Sequence, residues 1–270
     1  MNNIPFTKYH GTGNDFILID NRAVGWKPTP EEVAAFCHRR FGVGADGLML
    51  VETAETPYDF RMVYFNSDGN ESSMCGNGGR CIVHFAHQLG IFTGESTQFI
   101  AIDGPHQAWI KNGFIQLEMC ASAAMIPLPN GDYIGNTGSP HYVQWVEQPI
   151  SLEEIQQRGF NIRHLPEYEK DGINVNFVAP LNENSLWVGT FERGVEAPTF
   201  SCGTGVTAAA LAYVAKTASQ KENNRISIQV PGGNLEVQWT WIHGKTSKIL
   251  LIGPATVSYT HLTLPTKRIV

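Results

Sequence analysis

The chain has 270 residues, 42% of them hydrophobic, and a formal net charge of −6. That length supports a substantial core and two domains, and the acidic balance excludes a nucleic-acid footprint. No apolar run reaches the roughly 18 residues of a membrane span. The opening Met1-Asn2-Asn3-Ile4-Pro5-Phe6 also lacks the basic and apolar regions of a signal peptide, so a cytoplasmic location with no membrane partner is expected.

Taken in chain order, strands are predicted over Asp15–Asp20, Gly47–Glu52, Phe60–Phe65, Gln98–Asp103, Ala108–Lys111 and Phe114–Met119. Thr29-Pro30-Glu31-Glu32 is a capping box with proline at the first helical position, opening a helix to Arg40. A second helix runs from Asn77 to Leu89, with Gly90 as its stop. Asn112-Gly113 marks a tight hairpin. The second half brings strands at Tyr142–Glu147, Ile173–Ala179, Ser185–Phe191, Arg225–Val230, Leu235–Thr240 and Lys248–Ile252. Its helices are predicted from the Ser151 capping box to Gly159 and from Gly205 to Thr217.

The halves share an order of motifs. Gly11-Thr12-Gly13-Asn14 precedes Cys75-Gly76-Asn77-Gly78 by nearly the spacing at which Asn136-Thr137-Gly138-Ser139 precedes Cys202-Gly203-Thr204-Gly205. Phe65 and Phe191 stand at matching distances before their cysteines. Two copies of one α+β unit are expected, joined near Ala121–Gly131. The predicted domains are residues 1–125 and 126–256, and residues 257–270 are expected to be a non-native tail.

Five cysteines, Cys37, Cys75, Cys81, Cys120 and Cys202, include no Cys-x-x-Cys pair, so neither a disulfide framework nor a metal site is expected. Cys37, Cys81 and Cys120 read as small buried hydrophobes. Cys75 and Cys202 differ, because each stands where a strand gives way to a helix. Backbone N–H groups and the helix dipole favour a thiolate there. Two such thiols could remove a proton from one face of a carbon and deliver one to the other, the chemistry of an amino-acid racemase or epimerase without a cofactor. The helix starts at Gly76-Asn77 and Gly203-Thr204 offer N–H groups to a carboxylate. Neither glycine loop completes a nucleotide-binding fingerprint. Asn66, Asp68 and Asn70 precede Cys75, Glu192-Arg193 precedes Cys202, and His141 follows the Thr137-Gly138 loop.

These motifs together resemble the diaminopimelate epimerase family. The resemblance rests on His10–Phe16, Arg39–Gly47, Phe65–Gly69, Met74–Cys81, Gly138–His141, Asn174–Phe177, Glu192–Gly194, Cys202–Gly205 and Gly253–Ala255. It implies two pseudo-symmetric α+β domains, each a mostly antiparallel curved sheet around a central helix, with an active site in the interdomain cleft. It also implies interconversion of LL- and meso-diaminopimelate in lysine and peptidoglycan synthesis, by a homodimer. Cys75 and Cys202 match the acid and base, with Glu192 and His141 flanking the reacting centre. Asn14, Asn66, Gly76, Asn77, Asn174, Arg193, Gly203 and Thr204 match substrate-holding positions. Gly47 stands where many members carry glutamine, and Ser139 where many carry asparagine. The string from Val257 to Thr266 resembles a translated sequencing adaptor, so the family's returning last strand is expected to be absent. The rivals are a related racemase of another amino acid and a non-catalytic amino-acid-binding protein, for which paired thiols have no use.

Overall fold

The computed structural model describes residues 4–119, 124–217, 223–242 and 245–261. Cys120, the first residues of the expected joint and the tail beyond His261 lie outside them. The chain divides into two compact units, residues 1–115 with 254–270, and residues 116–253.

In chain order the elements are β1 (Phe6–Gly11), β2 (Asn14–Asp20), α1 (Pro30–Cys37), β3 (Gly47–Glu52), β4 (Phe60–Asn66), β5 (Glu71–Ser72), α2 (Gly76–Gln88), β6 (Ser96–Ala101), β7 (Gly104–Lys111) and β8 (Phe114–Met119). There follow β9 (Met125–Pro127), β10 (Tyr133–Asn136), β11 (Pro140–Trp145), α3 (Leu152–Arg163), β12 (Asn174–Asn182), β13 (Ser185–Glu192), β14 (Ala197–Thr199), α4 (Gly203–Thr217), β15 (Asn223–Val230), β16 (Gly233–Ile242), β17 (Lys245–Gly253) and β18 (Thr256–His261).

The first unit joins β1 to β2 antiparallel, β2 to β3 parallel across α1, β3 to β4 antiparallel and β4 to β5 antiparallel. It then joins β4 to β6 parallel across α2, and β6 to β7 antiparallel. The second unit repeats that series with β10, β11, α3, β12, β13, β14, α4, β15 and β16. The order of pairings is the same, parallel steps included, which is how a duplicated unit looks when both copies keep their fold.

Each unit is built around one buried helix. In α4, Val206 to Ala210 and Ala212 are fully buried. A helix apolar on every side has no face to give to water, and its alanines let strands approach closely. In α2, Gly76–Val83, Phe85 and Ala86 are buried. At Gly78 a Cβ would lie 2.0 Å from the Met49 methyl group, so the Met49 side chain packs into the space a larger residue would take. The peripheral helices seal a second layer. α1 covers a cluster including Ile17, Val33, Leu48 and Leu50, and α3 covers Ile155, Val175, Phe177 and Phe191.

The capping boxes behave as their residues predict at Thr29, where both reciprocal bonds form, and the Ser151 hydroxyl accepts from Glu154 N–H. Asn112 and Gly113 adopt φ of 52° and 78°, the paired positive values of a tight hairpin turn. Gly90, at φ 69°, follows the α2 C-cap. Two helix ends differ from expectation. α1 stops at Cys37 because the His38 ring Nδ1 accepts the N–H groups of Arg40 and Phe41, turning the chain. α3 continues past Gly159 to Arg163. This glycine is a contact and not a stop: a Cβ there would lie 2.4 Å from Phe191 Cβ.

At the C-terminus a returning strand forms where none was expected. Thr256–His261 forms a strand, and it pairs antiparallel with β1, Phe6 opposite His261 and His10 opposite Thr256. Val257-Ser258-Tyr259 alternates apolar and polar residues as a strand needs, and the Tyr259 ring meets Phe6 edge-on at 6.1 Å.

Candidate active site

Each unit docks a Thr-Gly turn on the start of its buried helix. Thr12 and Gly13, at φ 51° and 89°, close the β1–β2 hairpin. The strained Thr12 is 3% exposed, and its hydroxyl accepts from Arg80 at 3.3 Å. In the second unit Thr137 donates to the Thr204 carbonyl at 2.8 Å, with Gly138 at φ 111°. The motif correspondence read from the sequence is thus a structural one.

Cys75 is the N-cap of α2, in extended conformation, and its carbonyl receives Gly79 N–H at 2.6 Å. The thiol is half-buried. Its sulfur lies 3.8 Å from Asn14 Oδ1, which also accepts from Asn77 Nδ2 at 3.4 Å. Asn14, Gly76 and Asn77 therefore gather at Cys75. Asn66 ends β4 opposite Gly47, beside the loop in which Ser67 N–H donates to Asp46 O. Gly47 has its missing side chain replaced by a neighbour: a Cβ would stand 2.5 Å from Tyr64 Cε2 and 2.6 Å from Phe65 O.

Two residues behind Cys75 were not among the sequence candidates. Asp46 receives Asn14 Nδ2 at 2.6 Å, and its other oxygen receives Arg39. Arg80, fully buried, donates to Gly76 O, Asn77 Oδ1, Thr12 Oγ1 and Pro254 O. Burial pushes its pKa down, opposed by attraction to Cys81 and Cys75. A cation is expensive to bury, so a fully buried arginine inside a candidate-site motif is the sequence signal that could have drawn attention to it.

Cys202 directly precedes α4, and its carbonyl receives Val206 N–H at 2.8 Å. It is 8% exposed. Its sulfur lies 3.4 Å from Thr204 Oγ1, which lies 3.2 Å from Ser139 Oγ. Ser139 Oγ lies 3.0 Å from His141 Nε2, and His141 Nδ1 lies 3.0 Å from Asn176 Nδ2. Asn174 donates to Ser139 Oγ and to Pro140 O, both at 3.0 Å. Arg193 joins through its backbone N–H, which donates to Asn174 Oδ1 at 2.9 Å, while its guanidinium donates to Asp171 O at 2.7 Å. Glu192 is the last residue of β13, half-buried, immediately before Arg193. His141 is completely buried, and desolvation, then the Arg193 charge, holds its pKa down at about 3. It is a neutral imidazole that orders its neighbours.

The remaining described cysteines are chemically quiet. Burial raises Cys37 to about 11 and Cys81 to about 12, leaving them protonated at neutral pH. Among the described residues no cluster of three or more His, Cys, Asp or Glu side chains could hold a metal ion, and no helix is long and apolar enough to cross a membrane.

Known proteins resemble this chain along most of its length. The family model described as diaminopimelate epimerase matches residues 6–114 and 133–257. A diaminopimelate epimerase of Flavobacterium psychrophilum is 45% identical over 250 residues, 92% of this chain and 95% of that protein. One from Chlorobaculum tepidum is 40% identical over 262 residues, 92% of this chain and 97% of that protein. Among solved structures, a phenazine biosynthesis protein of the PhzF family from Bacillus anthracis aligns with a TM-score of 0.76 at 16% identity, over 98% of this chain and 100% of that one. That last likeness concerns the fold. With a family model spanning both units and relatives matched over nearly their whole length, the chain belongs to the diaminopimelate epimerase family.

Proposed function

We infer that this protein interconverts LL- and meso-diaminopimelate without a cofactor, using Cys75 and Cys202 as the two proton-transfer groups. The observation that carries the reading is the 45% identity to a diaminopimelate epimerase across 92% of the chain. The local chemistry supports it. Each thiol stands at the first turn of a buried helix, where the dipole and the backbone N–H groups favour developing negative charge. Removing an α-proton moves charge onto the substrate carboxylate, and the N–H groups at Gly76-Asn77 and Gly203-Thr204 are of the kind that stabilise it. Asn14, Asn66, Asn174 and Arg193 are assigned to holding the substrate, with Glu192 beside the reacting centre. A substrate with a second polar end gives Arg193 and Asn174 a purpose that a simple cyclic amino acid does not. We also assign the protein to the cytoplasm, as a homodimer, in the supply of lysine and peptidoglycan precursors.

The test is substitution of each thiol. Cys75→Ser and Cys202→Ser are expected to lower kcat by about 10²–10⁴-fold, the usual contribution of a positioned acid or base, while the thermal midpoint changes little. Full turnover by either variant would refute the two-thiol mechanism.

A further inference from the structure

The turn that carries Arg193 is strained and is held from outside. Glu192 ends β13 and Ala197 begins β14. Between them Glu196 adopts φ 56°, the left-handed region that glycine enters freely and a residue with a Cβ does not. Such a backbone persists where its surroundings over-determine it. Glu196 N–H donates to Glu192 O at 2.8 Å, and Glu196 Oε1 accepts Gly194 N–H at 3.0 Å. The same oxygen lies 3.4 Å from Arg163 Nε, and the Glu196 carbonyl accepts Gln156 Nε2 at 3.5 Å. Gln156 and Arg163 both belong to α3, so a separate element holds the turn in place.

Two guanidinium groups meet at this corner. A Cβ on Gly172 would lie 2.6 Å from Arg193 Cδ and 3.0 Å from Arg163 Cζ, so both arginines cross one glycine. The loop after α3 accepts from each, Arg163 Nη1 donating to Tyr168 O at 3.3 Å and Arg193 Nη1 to Asp171 O at 2.7 Å. Their charges are treated differently. Arg163 has a side chain only 15% exposed, and Glu196 pairs with it. Arg193 is exposed, and among the described residues no carboxylate pairs with it. Its charge reaches the Cys202 cluster, where it holds down the pKa of His141, and its backbone N–H fixes Asn174. Like charges this close repel. Without Glu196 the Arg163 charge would push Arg193 aside and compete with it for an anion.

We propose that Glu196 is a positioning residue for Arg193, pairing with Arg163 so that Arg193, and not Arg163, is the cation presented to a substrate carboxylate. This rests on the reading of Arg193 as a substrate-holding residue. Glu196 acts in two ways, both through Arg193. Its carboxylate ties down Gly194, the next residue in the chain, and it neutralises the neighbouring guanidinium.

The experiment is a double-mutant cycle on the full-length protein, with KM and kcat for LL-diaminopimelate and the thermal midpoint measured for each variant. Arg193→Ala is expected to raise KM by about 10–100-fold, the worth of a hydrogen bond to a charged group. Glu196→Gly suits the backbone at φ 56°, so its thermal midpoint is expected to stay near that of the wild type. Its KM is expected to rise about tenfold while kcat falls less than about twofold, the mark of lost binding common to ground and transition states. Glu196→Gln keeps an acceptor for Gly194 but leaves Arg163 unneutralised, and its KM is expected to fall between the two. In the Arg193→Ala background neither substitution should raise KM by more than about twofold, because the effect passes through Arg193. A wild-type KM in both Glu196 variants, a loss confined to kcat, or an equal rise in KM with and without Arg193 would overturn the proposal and leave the role of Arg193 standing. A wild-type KM in Arg193→Ala would instead overturn that role.

Discussion

At Gly205 a single hydrogen keeps the Cys202 cluster in order. A Cβ there would stand 2.3 Å from Asn176 Oδ1, and Asn176 is buried and already fixed by Thr190 and Tyr142. Gly205→Ala therefore displaces the amide from which the bonds to His141, Ser139 and Thr204 follow. It is expected to destabilise the fold by about 1–3 kcal/mol, as overpacking of a tight core does. It should also lower turnover by more than the fraction unfolded explains. Denaturant midpoints and kcat measured together check this, and an active variant of unchanged stability would show that Asn176 is free to move. The sequence revealed Cys75 and Cys202 readily, because a cysteine before a glycine-rich helix start is a local signal. Ser139 was read only as a changed substrate-holding position, and Asp46 and Asn176 were not legible as parts of the centre. Their importance comes from which atom each turns towards a neighbour, and that is decided by partners distant in the chain.

At the scale of elements, β1 and β2 are tied to the loop after α1 by charge. Asp15 is paired with Lys8 at 2.8 Å and with Arg39 at 2.8 Å. Burial alone would raise its pKa, but the hydrogen bonds and charges of Arg39 and Lys8 outweigh it and hold the carboxyl at about 2. A carboxylate whose pKa is lowered on folding stabilises the protein above its unfolded value. That stabilisation is complete above about pH 4 and is lost as pH falls towards about 2. Urea midpoints measured through that window are expected to fall in the wild type. They should fall less in Asp15→Asn, which starts from a lower midpoint at neutral pH. Equal slopes would mean the pairing carries no net stability. Most element positions were legible, since β3 and β8 follow runs of apolar and β-forming residues and both capping boxes are local. The two misread ends have different causes, one non-local and one local. Gly159 looked like a stop, yet it is a contact with Phe191 on β13, and His38 ends α1 through its own ring.

For the whole molecule, the repeated order of strand pairings explains why one sequence carries the same Thr-Gly and Cys-Gly devices twice. Each copy places its cysteine at the start of its buried helix and packs its Thr-Gly turn on that start. The copies then diverge where it matters for chemistry, one turning a carbonyl to its sulfur and the other a hydroxyl. The duplication was legible because motif order and spacing survive in the chain. The last strand was not, because its composition looked foreign while its alternation still suits the edge of β1. The claim that joins these levels is proton exchange at one α-carbon by two thiols. Incubation with LL-diaminopimelate in deuterated water tests it most directly. Meso product with deuterium at the inverted α-carbon is expected, as is loss of that exchange in Cys75→Ser and Cys202→Ser. Meso product carrying no solvent deuterium, or no interconversion by the wild-type protein, would contradict it.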